Sequence, residues 1–264
     1  MTNRAKILGT SDGSSWVELS KVSGTTKGVW FLNPQTGLEI ANPDSTSEST
    51  LRRSTDGGKT WKPLNRCSVD SNVGGLPRKL GCILRTAQFL SPAVGFPGGG
   101  APIDRATKAA TFGKTIDGGQ TWSMSVIPET KWLITEVKFC SDKDGIVVLR
   151  GGEEVYWTAD GGATWTRSVK QRLWPSLSGV GDGKIIVGVE EDGGIGYSFN
   201  GGRNFTSRPF KLPAQVKAVT FPDAQHGCLV PQHAMVFRFR IVPIRIHQPG
   251  NDRRNGPVGT CRLQ

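Results

Sequence analysis

One eight-residue pattern governs how this chain can fold. It reads Ser-Thr-Asp-Gly-Gly-Lys-Thr-Trp at 54–61 and returns as Thr-Ile-Asp-Gly-Gly-Gln-Thr-Trp at 115–122 and Thr-Ala-Asp-Gly-Gly-Ala-Thr-Trp at 158–165. A degraded copy, Ser-Phe-Asn-Gly-Gly-Arg-Asn-Phe, occupies 198–205, and a copy one residue shorter, Thr-Ser-Asp-Gly-Ser-Ser-Trp, occupies 10–16. The third positions, Asp12, Asp56, Asp117, Asp160 and Asn200, are 44, 61, 43 and 40 residues apart. A repeat of roughly 40–50 residues marks supersecondary units that cannot cover their own apolar faces and must stack on neighbours.

A second pattern precedes each box. A large apolar residue stands six positions before a glycine, at Phe31/Gly37, Phe89/Gly95, Phe139/Gly145, Leu177/Gly183 and Phe221/Gly227. Around each pair lie a short apolar run, a turn and a second apolar run. Each unit therefore reads strand, turn, strand, loop, strand, box turn, strand, and no segment carries the helical period. Four antiparallel strands repeated in this way describe a propeller blade. The expected fold is all-β, a β-propeller of four-stranded antiparallel blades.

Four units are complete, at 26–66, 83–128, 132–170 and 174–212. Residues 213–240 open a fifth that lacks a box, while the N-terminus has a box without opening strands. Letting residues 4–20 finish the blade begun by 213–240 gives five blades. A truncated six- or seven-bladed propeller is the alternative. The propeller is placed at 1–241, and the basic, Pro-, Gly- and Arg-rich residues 242–264 are read as a disordered tail.

The box residues have local structural roles. Glycine accepts positive φ without a Cβ penalty. The aspartate can accept backbone N–H bonds inside the turn, the preceding Ser or Thr can fix the carboxylate, and the tryptophan can pack between layers. This assigns structural roles to Asp12 and Trp16; to Ser54, Asp56, Gly58 and Trp61; to Thr115, Asp117, Gly119 and Trp122; to Thr158, Asp160, Gly162 and Trp165; and to Ser198, Asn200, Gly202 and Phe205. A role needed once per blade explains the multiplicity, which a catalytic role does not.

The pattern S/T-x-D-G-G-x-T-W resembles the Asp-box (BNR) repeat of sialidase-type propellers. The fuller unit, a V-x-F-x-x-x-x-x-G run followed by the box, is most similar to the photosystem II assembly/stability factor-like repeat family. The resemblance covers about residues 5–230. It implies a propeller that escorts a membrane-protein complex during assembly, with Arg-rich patches engaging the partner. The wider superfamily also contains sialidases, other glycosidases and sugar binders, so the repeat specifies fold more than function.

Composition narrows the remaining classes. No apolar run reaches the length of a membrane-spanning helix. The basic N-terminus lacks the apolar core of a signal peptide, so the expected location is cytoplasmic. Periplasmic, lumenal or extracellular residence is the alternative if the N-terminus is incomplete. The formal charge is +11, of which residues 213–264 supply +5. The five cysteines contain no C-x-x-C, and three histidines, at 226, 233 and 247, are too few and scattered for a metal site. No metal or cofactor is expected. An odd cysteine number without a secretory signal argues for free thiols, although Cys67 and Cys82 flank one loop and can pair in an oxidising compartment.

In such a blade the box shares a face with the first hairpin turn, and the longer loops lie opposite. The loops read from the sequence are 41–53, 66–82, 97–111, 150–154 and 190–194. Long loops on a rigid scaffold are common binding sites. They gather Arg52, Arg53, Arg78, Lys79, Arg105 and Lys108 on one side and Glu153, Glu154, Glu190 and Glu191 on the other. These are the candidate partner-binding residues, and no catalytic residue is assigned. The arginine triad, early Arg-Ile-Pro motif and Tyr–Glu pair of sialidases have no counterpart. Tyr156 and Tyr197, the only tyrosines, both precede boxes. The expected function is non-catalytic docking of a protein partner by a monomer. A glycan-binding or glycoside-hydrolysing propeller is the first alternative, and a basic nucleic-acid binder using 236–247 and the tail is the second.

Overall fold

The computed structural model describes residues 6–21, 25–42, 48–73, 76–103, 108–149, 154–168, 173–180, 185–190, 195–208, 216–220 and 228–231. The chain divides into two compact units, Met1–Val137 and Lys138–Gln264. Every regular element among the described residues is a strand. The hairpin β1 (Lys6–Gly9) and β2 (Val17–Lys21) comes first. The first full blade follows, with β3 (Thr25–Phe31), β4 (Gly37–Asn42), β5 (Thr50–Ser54) and β6 (Lys62–Arg66). An extra hairpin, β7 (Ser68–Val73) and β8 (Leu76–Gly81), precedes the second blade of β9 (Ile83–Phe89), β10 (Gly95–Pro102), β11 (Lys108–Lys114) and β12 (Ser123–Val126). The third blade has β13 (Ile134–Phe139), β14 (Gly145–Leu149), β15 (Val155–Thr158) and β16 (Thr166–Arg167). The fourth has β17 (Leu173–Val180), β18 (Ile185–Glu190), β19 (Ile195–Ser198) and β20 (Thr206–Arg208), before the hairpin β21 (Val216–Thr220) and β22 (Cys228–Pro231).

Each full blade pairs its strands in chain order, and β1–β2, β7–β8 and β21–β22 are separate two-stranded sheets. The pairings within the first, second and fourth blades and within the three hairpins are antiparallel, as are β14–β15 and β15–β16 of the third blade. The fold is a β-propeller, and the four units predicted from the repeat coincide with the four four-stranded sheets.

The Phe-to-Gly spacing now has a cause. Phe31 lies opposite Gly37 across the β3–β4 hairpin, and Phe89 lies opposite Gly95 across β9–β10. The ring folds over the glycine: a Cβ on Gly95 would sit 2.4 Å from Phe89, and one on Gly145 would sit 2.5 Å from Phe139. The box tryptophan then meets the same ring edge-on. Ring centroids are 6.2 Å apart for Phe31–Trp61, 6.1 Å for Phe89–Trp122 and 6.3 Å for Phe139–Trp165. Such edge contacts between aromatic rings are favourable beyond the area they bury. The two sequence signatures are thus two halves of one packing unit.

Three stretches read as loops contain strands. Residues 97–111 contain most of β10 and half of β11, although Gly-Pro-rich sequence normally breaks sheets. Close approach is the reason: a Cβ on Gly98 would strike Val137 and Ile134, and one on Gly99 would sit 1.9 Å from the Ile83 carbonyl oxygen. Arg52 and Arg53 likewise belong to β5, paired with Glu39 and Leu38. The expected 66–82 loop is the β7–β8 hairpin, clasped at its base by a Cys67–Cys82 disulfide with Cα atoms 5.1 Å apart. That pairing corrects the expectation of free thiols at both positions. Both cysteines are buried with Ile40, Leu51, Val69, Leu84 and Ala101. Cys140 is half-buried.

Candidate functional site

The boxes come first because their polar groups recur most often. In the box at 54–61, the Ser54 hydroxyl donates to Asp56 Oδ1 at 2.8 Å and accepts from the Gly58 N–H at 2.8 Å. Asp56 also accepts from the Thr60 N–H at 2.9 Å and the Thr60 hydroxyl at 2.5 Å. The Trp61 indole N–H donates to the Gly58 carbonyl at 3.0 Å. The same bonds recur at Thr115, Asp117, Gly119, Thr121 and Trp122, and at Thr158, Asp160, Gly162, Thr164 and Trp165. Both glycines of these boxes have φ between 69° and 91°, a region that penalises any Cβ.

Each of these three boxes also rests on the first hairpin turn of its own blade. Gly57 N–H donates to the Gln35 carbonyl at 2.9 Å, Gly118 to Ala93 at 2.8 Å and Gly161 to Lys143 at 2.8 Å. The predicted sharing of one face by these two turns is what the structure has. The carboxylates are held in ionised form by their donors. The Thr121 hydroxyl and N–H lower the Asp117 carboxyl from 3.8 to about 2, and the Thr164 hydroxyl and N–H do the same for Asp160. The Ser15 and Ser14 N–H groups lower Asp12 to about 2, and the Thr60 hydroxyl and N–H lower Asp56 further. A carboxylate with its lone pairs taken up by neighbouring N–H and O–H groups is a poor general acid or base, since catalysis wants a pKa near the working pH.

The candidate loop residues are dispersed. Arg78 and Lys79 are exposed on β8, where Lys79 faces Asp70 across the hairpin and Arg78 faces Ser71. Lys108 is exposed at the start of β11 opposite Pro102. Glu154 forms an ion pair with Arg167 at 3.1 Å, and Glu190 ends β18 opposite Leu173. Arg105, Glu153 and Glu191 lie outside the described residues, as do all three histidines and residues 236–247. The basic candidates fall in the first unit and the acidic ones in the second. Among the described residues, no group of three or more His, Cys, Asp or Glu side chains is arranged to hold a metal, and no helix is long and apolar enough to cross a membrane.

A feature of the first unit was not foreseen. A cleft of about 770 Å³ opens between β2 and the outer half of the first blade. Lys21, Arg52, Lys59 and Arg66 line it, with Ser20 and Trp61, and no carboxylate is among its lining residues within the described part of the chain. Ser20 ties the walls together: its hydroxyl donates to the Gly58 carbonyl at 2.8 Å and accepts from the Trp61 indole at 3.1 Å. Behind the cleft sits Glu39, fully buried. Its Oε1 accepts from the Thr26 hydroxyl at 2.7 Å, while its Oε2 lies 3.6 Å from Arg52 Nη1 and has no hydrogen-bond partner. A buried carboxylate needs a counter-charge, and Arg52 supplies it. The sequence signal was Glu39 itself, a charge in the apolar run Leu38–Ala41.

Neither a protein-family profile nor a curated protein sequence matches the chain. Solved structures do match in fold. YCF48 from Cyanidioschyzon merolae superposes with a TM-score of 0.56 at 16% identity, covering 84% of this chain and 69% of that one. YCF48 bound to D1 peptide superposes with a TM-score of 0.52 at 17% identity over 79% of this chain. This chain spans 61% of the length of that protein. The GH93 α-L-arabinofuranosidase of Fusarium graminearum, in complex with arabinobiose, gives a TM-score of 0.52 at 15% identity over 85% of this chain and 79% of that one. At these identities the likeness is one of fold, and the same fold serves a peptide-bound protein and a glycosidase.

Proposed function

We propose that this chain is a non-catalytic propeller that docks a protein partner, as photosystem II assembly/stability factor-like proteins do. The observation that carries the reading is the division of its polar groups. The repeated Asp, Ser and Thr side chains are consumed within the boxes, whereas exposed cations such as Arg78, Lys79 and Lys108 stand on the extra hairpin and a neighbouring strand. The YCF48 neighbour bound to a peptide supports this reading as an analogy of fold.

The test is affinity capture from detergent-solubilised extract of the source cell. Wild type is compared with a variant carrying Arg78→Glu, Lys79→Glu and Arg105→Glu. A specific protein retained by the wild type and lost by the folded variant is expected. No retained protein with both forms folded contradicts the reading.

The glycosidase-like fold neighbour favours a second reading, a glycan-active propeller. Fluorogenic sialosides and α-L-arabinofuranosides decide it. Turnover abolished by Glu153→Gln or Glu190→Gln would replace docking as the function.

A further inference from the structure

We propose that the cleft between β2 and the first full blade is the docking site for an acidic, extended peptide segment of the partner, with Arg52 as its anchor. The inference rests on the docking reading and gives it a location and a ligand chemistry.

Three features carry it. The first is charge: Lys21, Arg52, Lys59 and Arg66 line one cleft, and among the described residues no carboxylate joins them. Like charges held together repel each other, and an anion relieves that repulsion. The second is preorganisation. Arg52 is not a free surface side chain; only 17% of it is exposed, and Glu39 holds one end of its guanidinium from inside the blade. A guanidinium with five donors in a fixed fork can pair with one carboxylate behind it and a second in front. The third is shape. β6 is the last strand of its sheet, and its residues Pro63 to Arg66 line the cleft. An extended segment lying along that strand runs from Arg52, which pairs with Pro63, to Arg66, which pairs with Thr50, with Lys21 and Lys59 also lining its path. Recognition of acidic segments by such clusters is a recurrent binding mode.

Stacking ligands fit less well. Among the described residues, Trp61 is the one aromatic residue lining the cleft. Its N–H is committed to Gly58 and Ser20, and its ring packs edge-on with Phe31. Single-stranded nucleic acid is usually held by several successive aromatic faces, and among the described residues this cleft offers one half-buried ring.

The test uses a fluorescein-labelled octapeptide rich in Glu and Asp, and its Gln/Asn isostere, with fluorescence anisotropy on the whole chain. Saturable binding of the acidic peptide is expected, with affinity falling as salt rises, and the isostere should bind at least tenfold more weakly. Lys21→Glu with Arg66→Glu should weaken binding at least tenfold. Arg52→Gln alone leaves Glu39 buried without a counter-charge and is prone to misfold, so the anchor is tested as Glu39→Gln with Arg52→Gln, which keeps a neutral pair. Loss of binding by this folded double variant is expected. No saturable binding at low salt overturns the proposal, as does equal affinity for the isostere. Tighter binding of an oligonucleotide or a heparin fragment, lost with the same variants, overturns the peptide assignment. If captured partner is lost with the Arg78, Lys79 and Arg105 reversal but kept with Lys21→Glu and Arg66→Glu, docking stands and this site falls.

Discussion

The turn at Asp160 and the turn at Asn200 share a backbone and differ in charge. In both, a hydroxyl two residues earlier bonds the third-position side chain and accepts from the second glycine N–H at 2.9 Å. In the first, Asp160 accepts from the Thr164 hydroxyl. In the second the polarity is reversed: Asn200 Nδ2 donates to Asn204 Oδ1 at 2.6 Å. The tryptophan differs as well. Trp165 donates its indole N–H to Gly162 O at 3.0 Å. Phe205 cannot, and the Gly202 carbonyl accepts from the Ser168 hydroxyl at 2.9 Å instead. What the fold requires at this position is a closed polar turn beneath an aromatic ring. The carboxylate is one solution among others, which is not how a catalytic acid behaves.

The comparison breaks most readily at the ring. Trp165 and Phe205 are half-buried, so Trp165→Ala and Phe205→Ala should each destabilise by about 3 kcal/mol, the low end for a buried ring, measured by chemical denaturation. A Phe205→Ala cost far below that of Trp165→Ala would mean that the fourth box is vestigial. A second contrast lies in the Cys67–Cys82 clasp of the first unit, which closes a 15-residue separation. Its loss in Cys67→Ser with Cys82→Ser should cost about 3 kcal/mol, and reduction of the wild type should match it. Trp165→Phe converts one ring into the other without a substitute donor. It should cost about 1 kcal/mol, the net value of one hydrogen bond.

The smallest effect separates the two turns by charge. The folded Asp160 carboxyl titrates near 2 against an ordinary 3.8. The folded state therefore binds fewer protons in this range, and the stabilisation is present above about pH 4 and lost as pH falls through 2. Solvent screening keeps it small for so exposed a group. Asp160→Asn should flatten this acid limb, and Asn200→Asp should steepen it. Identical limbs for both variants would contradict the assignment of the hydrogen bonds.

The boxes were legible in the sequence because their bonds span at most four residues. The Phe–Gly spacing was legible for the same reason, being set by one hairpin. The local bonds of the N-terminal box also form, with Ser14 and Ser15 N–H donating to Asp12. Yet Trp16 is 60% exposed, so the turn closes without the ring burial seen in the full blades. The glycine strand at 95–102 was not legible, since its glycines answer to Ile83, Leu133, Ile134 and Val137 rather than to their neighbours. The β7–β8 hairpin was hidden by its polar, Gly-Gly-Leu-Pro sequence. The basic cleft was hidden because one wall comes from β2 and the other from β5 and β6 of the first blade, segments about thirty residues or more apart in sequence.

The account's central claim is that the boxes hold the blades and do not perform the function. The most direct measurement pairs the melting temperature of Asp117→Ala with its affinity for the acidic octapeptide below the melt. The account predicts a lowered melting temperature and unchanged affinity. Lost affinity at an unchanged melting temperature would contradict it.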